Sequence, residues 1–457
     1  MTAFRPARTI LELGPAFYDE VAPADFPQTV LRFRNDRAAA MVGLDGLSDD
    51  DWLQHFGRFM PLPGSLEVPL ALRYHGHQFR TYNPDLGDGR GFLFAQAYDQ
   101  RGRLLDFGTK GSGQTPWSRA GDGRLTLKGG VREVLATEML TALGVNTSQT
   151  FSLIETGEAL ERGDEPSPTR SAVLVRLSHS HIRYGTFQRL AALGESDAMV
   201  RLTDYVLRHY FPETPRNEPY AALLDHAVTN AAAQAAAIMA AGFVHGVLNT
   251  DNINITGESF DYGPYRFAPT FDPGFTAAYF DHHGLYGYGR QPEALQWNVY
   301  QLAGALRLLA PTEALAPALK AYPERYPAAF DAALLARLGV QSKRDDAALT
   351  EALITALVAT NAPLDSFWFD WRGGALRHAT TAYDAPAWQP FCAAVAGYAP
   401  AVTLTHAYWG DAEPCGLPIG EIEAIWARIA GADDWSMFNK KVAAIRRMGD
   451  AMRSHQQ

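Results

Sequence analysis

Hard oxygen donors crowd one stretch of the chain, residues 245–263, H-G-V-L-N-T-D-N-I-N-I-T-G-E-S-F-D-Y-G. A turn dense in Asn and Asp, followed by the triplet Asp261-Tyr262-Gly263, offers ligands of the kind that magnesium prefers, with Asn252 and Asp261 as candidates. A second set lies upstream. Lys110, one of only six lysines, sits between glycines in G-T-K-G-S-G at 108–113, and Glu133 follows 23 residues later. Arg176 and Arg183 form a third set in V-R-L-S-H-S-H-I-R-Y-G, where guanidinium groups could fork onto phosphate oxygens. Taken singly, each set also reads as a solvated lysine, a helix-surface glutamate or ordinary surface salt bridges.

Written against the small-molecule kinase pattern H-G-D-x-x-x-x-N, the stretch matches at His245, Gly246 and Asn252 and carries Val247 in place of the catalytic Asp. A valine accepts no proton. Either the chain is a dead kinase or the base has moved, and Asp251, beside Asn252, is the carboxylate available to replace it.

The elements that must position these groups follow from periodicity. The alanine-rich segment 221–241 reads as a helix closed by Gly242. R-G-F-L-F-A-Q-A-Y and R-L-L-D-F-G-T-K, joined by Asp99-Gln100-Arg101-Gly102, read as an antiparallel hairpin that ends at Lys110. Val131, Val134, Leu135 and Met139 recur at helical spacing before Gly144, which places Glu133 on a helix. Strands are expected around 150–154 and 171–177. A strand lysine and a glutamate on the next helix is the kinase-lobe arrangement for holding nucleotide phosphates. Eleven of the 40 glycines fall within residues 85–130, either as tight turns or as bared amides that cradle phosphate. Residues 1–70 read as a packing extension with a helix or two. From residue 311 onward the chain reads as helical, and Trp368, Trp371 and Trp388 are expected in a core. His179 and His181 have the spacing of one side of a strand, but no third ligand suggests zinc. Adjacent His282 and His283 beside Asp281 point in different directions, so a metal site is not expected there either.

Composition bounds the function classes. The 457 residues are 47% apolar and 20% charged, with net charge -10 and pI about 5.7. No long basic run is present, which argues against nucleic acid. Cys392 and Cys415 form neither a metal pattern nor a disulfide framework, as suits a reducing cytosol. The N-terminal residues lack a signal-peptide core, and no stretch reads as a membrane span. A cytoplasmic enzyme, monomeric and free of membrane, is the expectation.

With these pieces in place, the sequence resembles the SelO (YdiU) family of pseudokinase-fold protein adenylyltransferases over roughly residues 70–310. The residues that carry the resemblance are Gly76-His77-Gln78-Phe79, L-G-D-G-R-G at 86–91, D-F-G-T-K-G-S-G-Q-T-P-W-S-R at 106–119, G-D-G-R at 121–124, R-E at 132–133, S-H-I-R-Y-G at 180–185, G-F-V-H-G-V-L-N-T-D-N at 242–252, D-Y-G-P at 261–264, and Q-P with W-N at 291–298. The resemblance implies a bilobal α+β protein-kinase-like fold. It would have an N-terminal extension (1–70), a small β-rich lobe with one key helix (71–185), and a larger, mainly helical lobe with a C-terminal extension (186–457). It further implies transfer of AMP from ATP to Ser, Thr or Tyr hydroxyls of proteins, with the nucleotide reversed relative to kinases and with Mg2+ or Mn2+. In that scheme Asp251 is the base, and Asn252 and Asp261 hold the metal. Lys110, Arg176 and Arg183 grip the outer phosphates, Glu133 orients Lys110, and Gly87, Gly89, Arg90, Asp122 and Gly123 line the nucleotide pocket.

The chain departs from the family at His75 and Arg80, where small residues are usual. It also ends M-R-S-H-Q-Q without the terminal cysteine or selenocysteine of many members, so no terminal redox switch is expected. Conventional phosphotransfer, disfavoured by Val247, and a non-catalytic nucleotide-binding scaffold stay open as alternatives.

Overall fold

A nine-stranded antiparallel sheet organises the first part of the computed structural model, which describes residues 3–163 and 165–453. Its strands are β1 (Pro6–Ala7), β2 (Tyr18–Glu20), β3 (Val30–Arg34), β4 (Leu70–Leu72), β7 (Leu93–Tyr98), β8 (Leu104–Lys110), β9 (Leu125–Thr126), β10 (Gln149–Leu160) and β11 (Thr169–Ser178); β5 (Gly76–Gln78) and β6 (Thr81–Asn83) form a separate hairpin. The order is β2-β4-β7-β8-β11-β10-β3, with β1 beside β7 and β9 beside β11. The expected hairpin is β7–β8, paired from Leu93 opposite Gly108 to Tyr98 opposite Leu104.

Residues 1–70 are not an arm packed against this sheet. They supply β1, β2 and β3 to it, besides the helices α1 (Asp36–Val42) and α2 (Asp49–Phe56). These strands have two to five residues and find their partners far along the chain, so no local pattern marks them.

Period two divides the side chains of β8 between faces. Leu105 and Phe107 enter an aromatic core with Trp52, Phe56, Phe94 and Phe151, where Trp52 stacks on Phe151 at 4.7 Å. Leu104, Asp106, Gly108 and Lys110 take the other face, toward α3 (Leu127–Ala142). That helix starts where the Thr126 hydroxyl accepts the Gly129 amide. It lies flush on β10 because position 130 is glycine: a Cβ there would stand 2.4 Å from Leu153. Glu133, one turn on, is thereby fixed over Lys110.

The second lobe is helical. It contains α4 (Tyr184–Leu193), α5 (Ser196–His209), α6 (Pro219–Ala240), α7 (Gln291–Leu306) and seven further helices between Thr312 and Met452. The alanine-rich helix is α6, with Pro219 in its first turn and Gly242 at φ +67° beyond its end. Trp368, Trp371 and Trp388 are buried together in a satellite core with Phe367 and Phe391. The last helix, Ser436–Met452, returns to the sheet lobe, where Arg446 donates to both Glu138 oxygens on α3 at 2.8 and 2.6 Å. No described helix is long and apolar enough to cross a membrane. A β-rich lobe carrying α3 between its strands, with α1 and α2 packed on the sheet, joined to a larger helical lobe, is a bilobal α+β plan of the protein-kinase kind.

Candidate active site

A cavity of about 740 Å³ opens between the lobes. Every site residue that the family resemblance implies lines it except Glu133: Lys110 and Arg176 from the sheet, Arg183 just past β11, Asp251, Asn252 and Asp261 from the helical lobe, and Gly87, Gly89, Arg90, Asp122 and Gly123 along the rim. Glu133 stands behind Lys110 and accepts a hydrogen bond from its Nζ.

Strand pairing brings the cations together. Lys110 lies opposite Leu174 and Gly108 opposite Arg176, so Lys110 and Arg176 share one face as diagonal neighbours. All three cations converge on Asp261. Arg176 Nη1 donates to its Oδ1 at 2.5 Å, Arg183 Nη1 to its Oδ2 at 3.1 Å, and Lys110 Nζ lies 3.6 Å from Oδ1. Burial works against this carboxylate, but Arg176, Lys110 and Arg183 outweigh it and hold its pKa well below the usual range. Burial also depresses Lys110, to about 7, with Arg90 and Arg176 adding to the effect and Asp261 opposing it. The Phe260 ring lies under both guanidinium groups, 4.9 Å from Arg176 and 4.8 Å from Arg183.

Asp251 is the opposite case. It lies in a short 3-10 turn, Thr250–Asn252, is 8% exposed, and its Oδ1 is buried without a hydrogen-bond partner. Burial raises its pKa from 3.8 to about 6, and Arg183 only partly offsets this. The turn is pinned by the β5–β6 hairpin: the His77 amide donates to Thr250 Oγ1 at 2.7 Å and the Phe79 amide to Asn249 Oδ1 at 3.0 Å. Gly76 presses on Asp251, since a Cβ there would stand 3.0 Å from the Asp251 Cβ. Asn252 donates its Nδ2 to the Val247 carbonyl at 3.0 Å, which leaves its Oδ1 to accept or to ligate.

The rim glycines are shaped at least as much by packing as by any ligand. A Cβ at Gly87 would meet the Trp117 ring at 2.4 Å, and one at Gly89 the Trp117 carbonyl at 2.7 Å. At Gly91 it would stand 2.0 Å from the Thr109 carbonyl oxygen. Gly91→Ala is therefore expected to cost about 1–3 kcal/mol, measurable by urea unfolding. Gly123 has φ +69° and sits against the Gly113 carbonyl. Asp122 is paired with Arg162 at 2.8 and 3.1 Å.

The sequence model of the family described as Protein adenylyltransferase SelO matches residues 2–381. This chain belongs to the SelO family. A relative named Protein nucleotidyltransferase YdiU, from Gloeobacter violaceus, is 45% identical over 468 aligned positions, 95% of this chain and 93% of its own. A second of that name, from Synechocystis, is 51% identical over 340 residues, 73% of this chain and 70% of its own. A third, from Vibrio cholerae, is 37% identical over 357 residues, 78% and 72% of the two chains. A solved structure titled ROP2 from Toxoplasma gondii, a virulence factor with a protein-kinase fold and no enzymatic activity, aligns at TM-score 0.28 and 14% identity, covering 57% of this chain and 75% of that one. As a SelO-family member the chain is a protein nucleotidyltransferase.

Asp88 is a group of this site that escapes sequence reading. Asp88 accepts from Arg183 Nη2 at 3.3 Å and from the Leu72 amide at 3.0 Å, so it fixes the guanidinium to the sheet. Its only sequence signal is its place within L-G-D-G-R-G. Gly108 makes room for His181, whose Nε2 would lie 1.7 Å from a Cβ at that position. His179 and His181 do not share a strand face, because β11 ends at Ser178 and Ser180 has φ +97°. Asp281 accepts the Leu285 and Tyr286 amides, both at 2.8 Å, and so shapes a loop. Two oxygen donors remain for a divalent cation, the Asn252 amide oxygen and the Asp261 lone pairs that its cations leave, while no group of three or more His, Cys, Asp or Glu able to hold a metal stands among the described residues.

Proposed function

We propose that this chain transfers AMP from ATP to Ser, Thr or Tyr hydroxyls of proteins, with ATP bound in the reverse of the kinase orientation. The observation that carries the reading is the pairing of Val247 at the usual base position with Asp251, a buried carboxylate whose Oδ1 has no partner. A base poised near neutral pH is what proton abstraction from a hydroxyl requires. The cluster of Lys110, Arg176 and Arg183 suits an inward-pointing triphosphate tail, which needs cationic neutralisation. Asn252 and Asp261 would hold Mg2+ or Mn2+, which when bound supplies further charge for the phosphate oxygens.

In this scheme Asp251 takes the acceptor proton as the hydroxyl oxygen bonds to the α-phosphorus. The bond from that phosphorus to the bridging oxygen breaks, and pyrophosphate leaves among Lys110, Arg176 and Arg183. Glu133 positions Lys110, and the rim residues Gly87, Gly89, Arg90, Asp122 and Gly123 border the nucleotide. The fold reads as a sheet lobe ending near residue 185 and a helical lobe after it, acting in the cytoplasm as a monomer on protein substrates.

The rate should follow the Asp251 carboxylate, falling as pH drops through about 6. A rate that rises on acidification would remove Asp251 as base. Peptide mapping by mass spectrometry tests the product: an adenylyl group on Ser, Thr or Tyr is expected, and a phosphoryl group alone would overturn the reading.

A further inference from the structure

Exposed aromatic rings are confined to one region of the described structure. The five exposed ones are Phe79 (37%), Tyr82 (36%), Tyr279 (77%), Phe280 (40%) and Tyr300 (46%). The remaining large exposed apolar residues, such as Leu11, Leu193 and Val358, are aliphatic and belong to separate elements. Scattered apolar residues need no explanation, whereas clustered ones mark interaction surfaces.

The rings form a continuous band. Tyr279 packs edge-on to Phe280 at 5.1 Å, and Phe280 meets Phe79 at 5.8 Å. Arg80, next to Phe79, lies over Trp297 at 5.5 Å; Trp297 meets His77 at 5.3 Å, and His77 meets Tyr82 at 5.1 Å. Tyr300 is three residues beyond Trp297 on the same helix, hence on the same side.

This band starts at the cavity mouth. Gln78 and Asn249 line the cavity, and the Phe79 amide donates to Asn249, two residues before Asp251. Phe79 and Arg80 both hold left-handed backbone, φ 49° and 65°, which is uncommon for non-glycine residues and costs free energy. The hairpin tip is thus held strained with Phe79 outward.

We infer that the band is the docking surface for the acceptor polypeptide, and that it selects an apolar side chain beside the hydroxyl to be modified. Continuity with Asp251 identifies the occupant, because a protein hydroxyl can reach that carboxylate only if its flanking residues lie on the adjoining rim. Phe79 and Phe280 are the specificity-determining contacts, with Tyr279 completing the platform. This assignment rests on the AMP-transfer reading for its chemistry but not for its binding.

The test is therefore a binding measurement, followed by a transfer measurement. Fluorescently labelled peptides with one serine, flanked either by phenylalanine and leucine or by glycine, are titrated with the full chain. Wild type is expected to bind the apolar peptide at least about tenfold tighter than the glycine peptide. Phe280→Ser and Tyr279→Ser should each lose most of that preference while keeping wild-type affinity for ATP. Equal binding of both peptides, or undiminished preference in the two variants and in Phe79→Ser, would overturn the proposal. So would loss of a dimer in the variants without loss of peptide binding, which would assign the band to a second copy of this chain. Peptide binding with no α-phosphate label on the peptide would instead contradict the AMP-transfer reading and leave the surface standing.

Discussion

Asp251→Asn is expected to abolish detectable nucleotidyl transfer while making the protein more stable above pH 6. Loss of a general base removes about 10²–10⁴ in rate, and the amide keeps the shape of the turn, so ATP affinity should be unchanged. The stability sign follows from linkage. Burial raises the folded-state pKa of Asp251 from 3.8 to about 6, so the native state binds this proton more tightly than the unfolded chain does. Stability contributed by the group is complete at low pH and is lost as pH rises through about 6. An uncharged amide removes that loss, on the order of 3 kcal/mol, with a matching rise in Tm at pH 7.5. Lower stability of Asp251→Asn at that pH would contradict the picture of a desolvated carboxylate.

Asp261→Asn should also lose transfer, with stability moving the other way. Three cations set this carboxylate well below its ordinary pKa, so it stabilises the fold above the unfolded value of 3.8 and stops doing so as pH falls through its folded pKa. Removing the charge strands Arg176, Arg183 and Lys110 in a buried cluster, expected to cost about 3–5 kcal/mol. Asparagine tolerates the φ of 63° at this position, so the substitution reports charge rather than backbone strain. Urea unfolding at pH 7.5 checks it; an unchanged midpoint would show that Asp261 is not the keystone of the cation cluster. The two aspartates lie ten positions apart in one loop, yet burial prevails over Arg183 at one and is outweighed by cations at the other.

What could be read in advance followed local periodicity. Lys110 at a strand end, Glu133 on the next helix and the displaced carboxylate at Asp251 each depend on spacings within a few dozen residues. β1, β2 and β3 were not legible, because strands this short draw their stability from partners such as β10, more than 100 residues away. Nor was the clasp of Asp88 on Arg183, which joins residues 95 positions apart. The glycines at 87 and 89 show a further limit: backbone bared for a phosphate and backbone bared for Trp117 look alike in one dimension. The return of the last helix to Glu138 on α3 depends on three-dimensional packing alone.

One comparison bears most directly on the proposed chemistry. Purified protein, ATP, magnesium and an acceptor protein are combined in two reactions, one with label on the α-phosphate and one with label on the γ-phosphate. Protein label from the α-position alone is the expected result. Label from the γ-position alone would contradict a reversed nucleotide and make the chain an ordinary phosphotransferase with a displaced base.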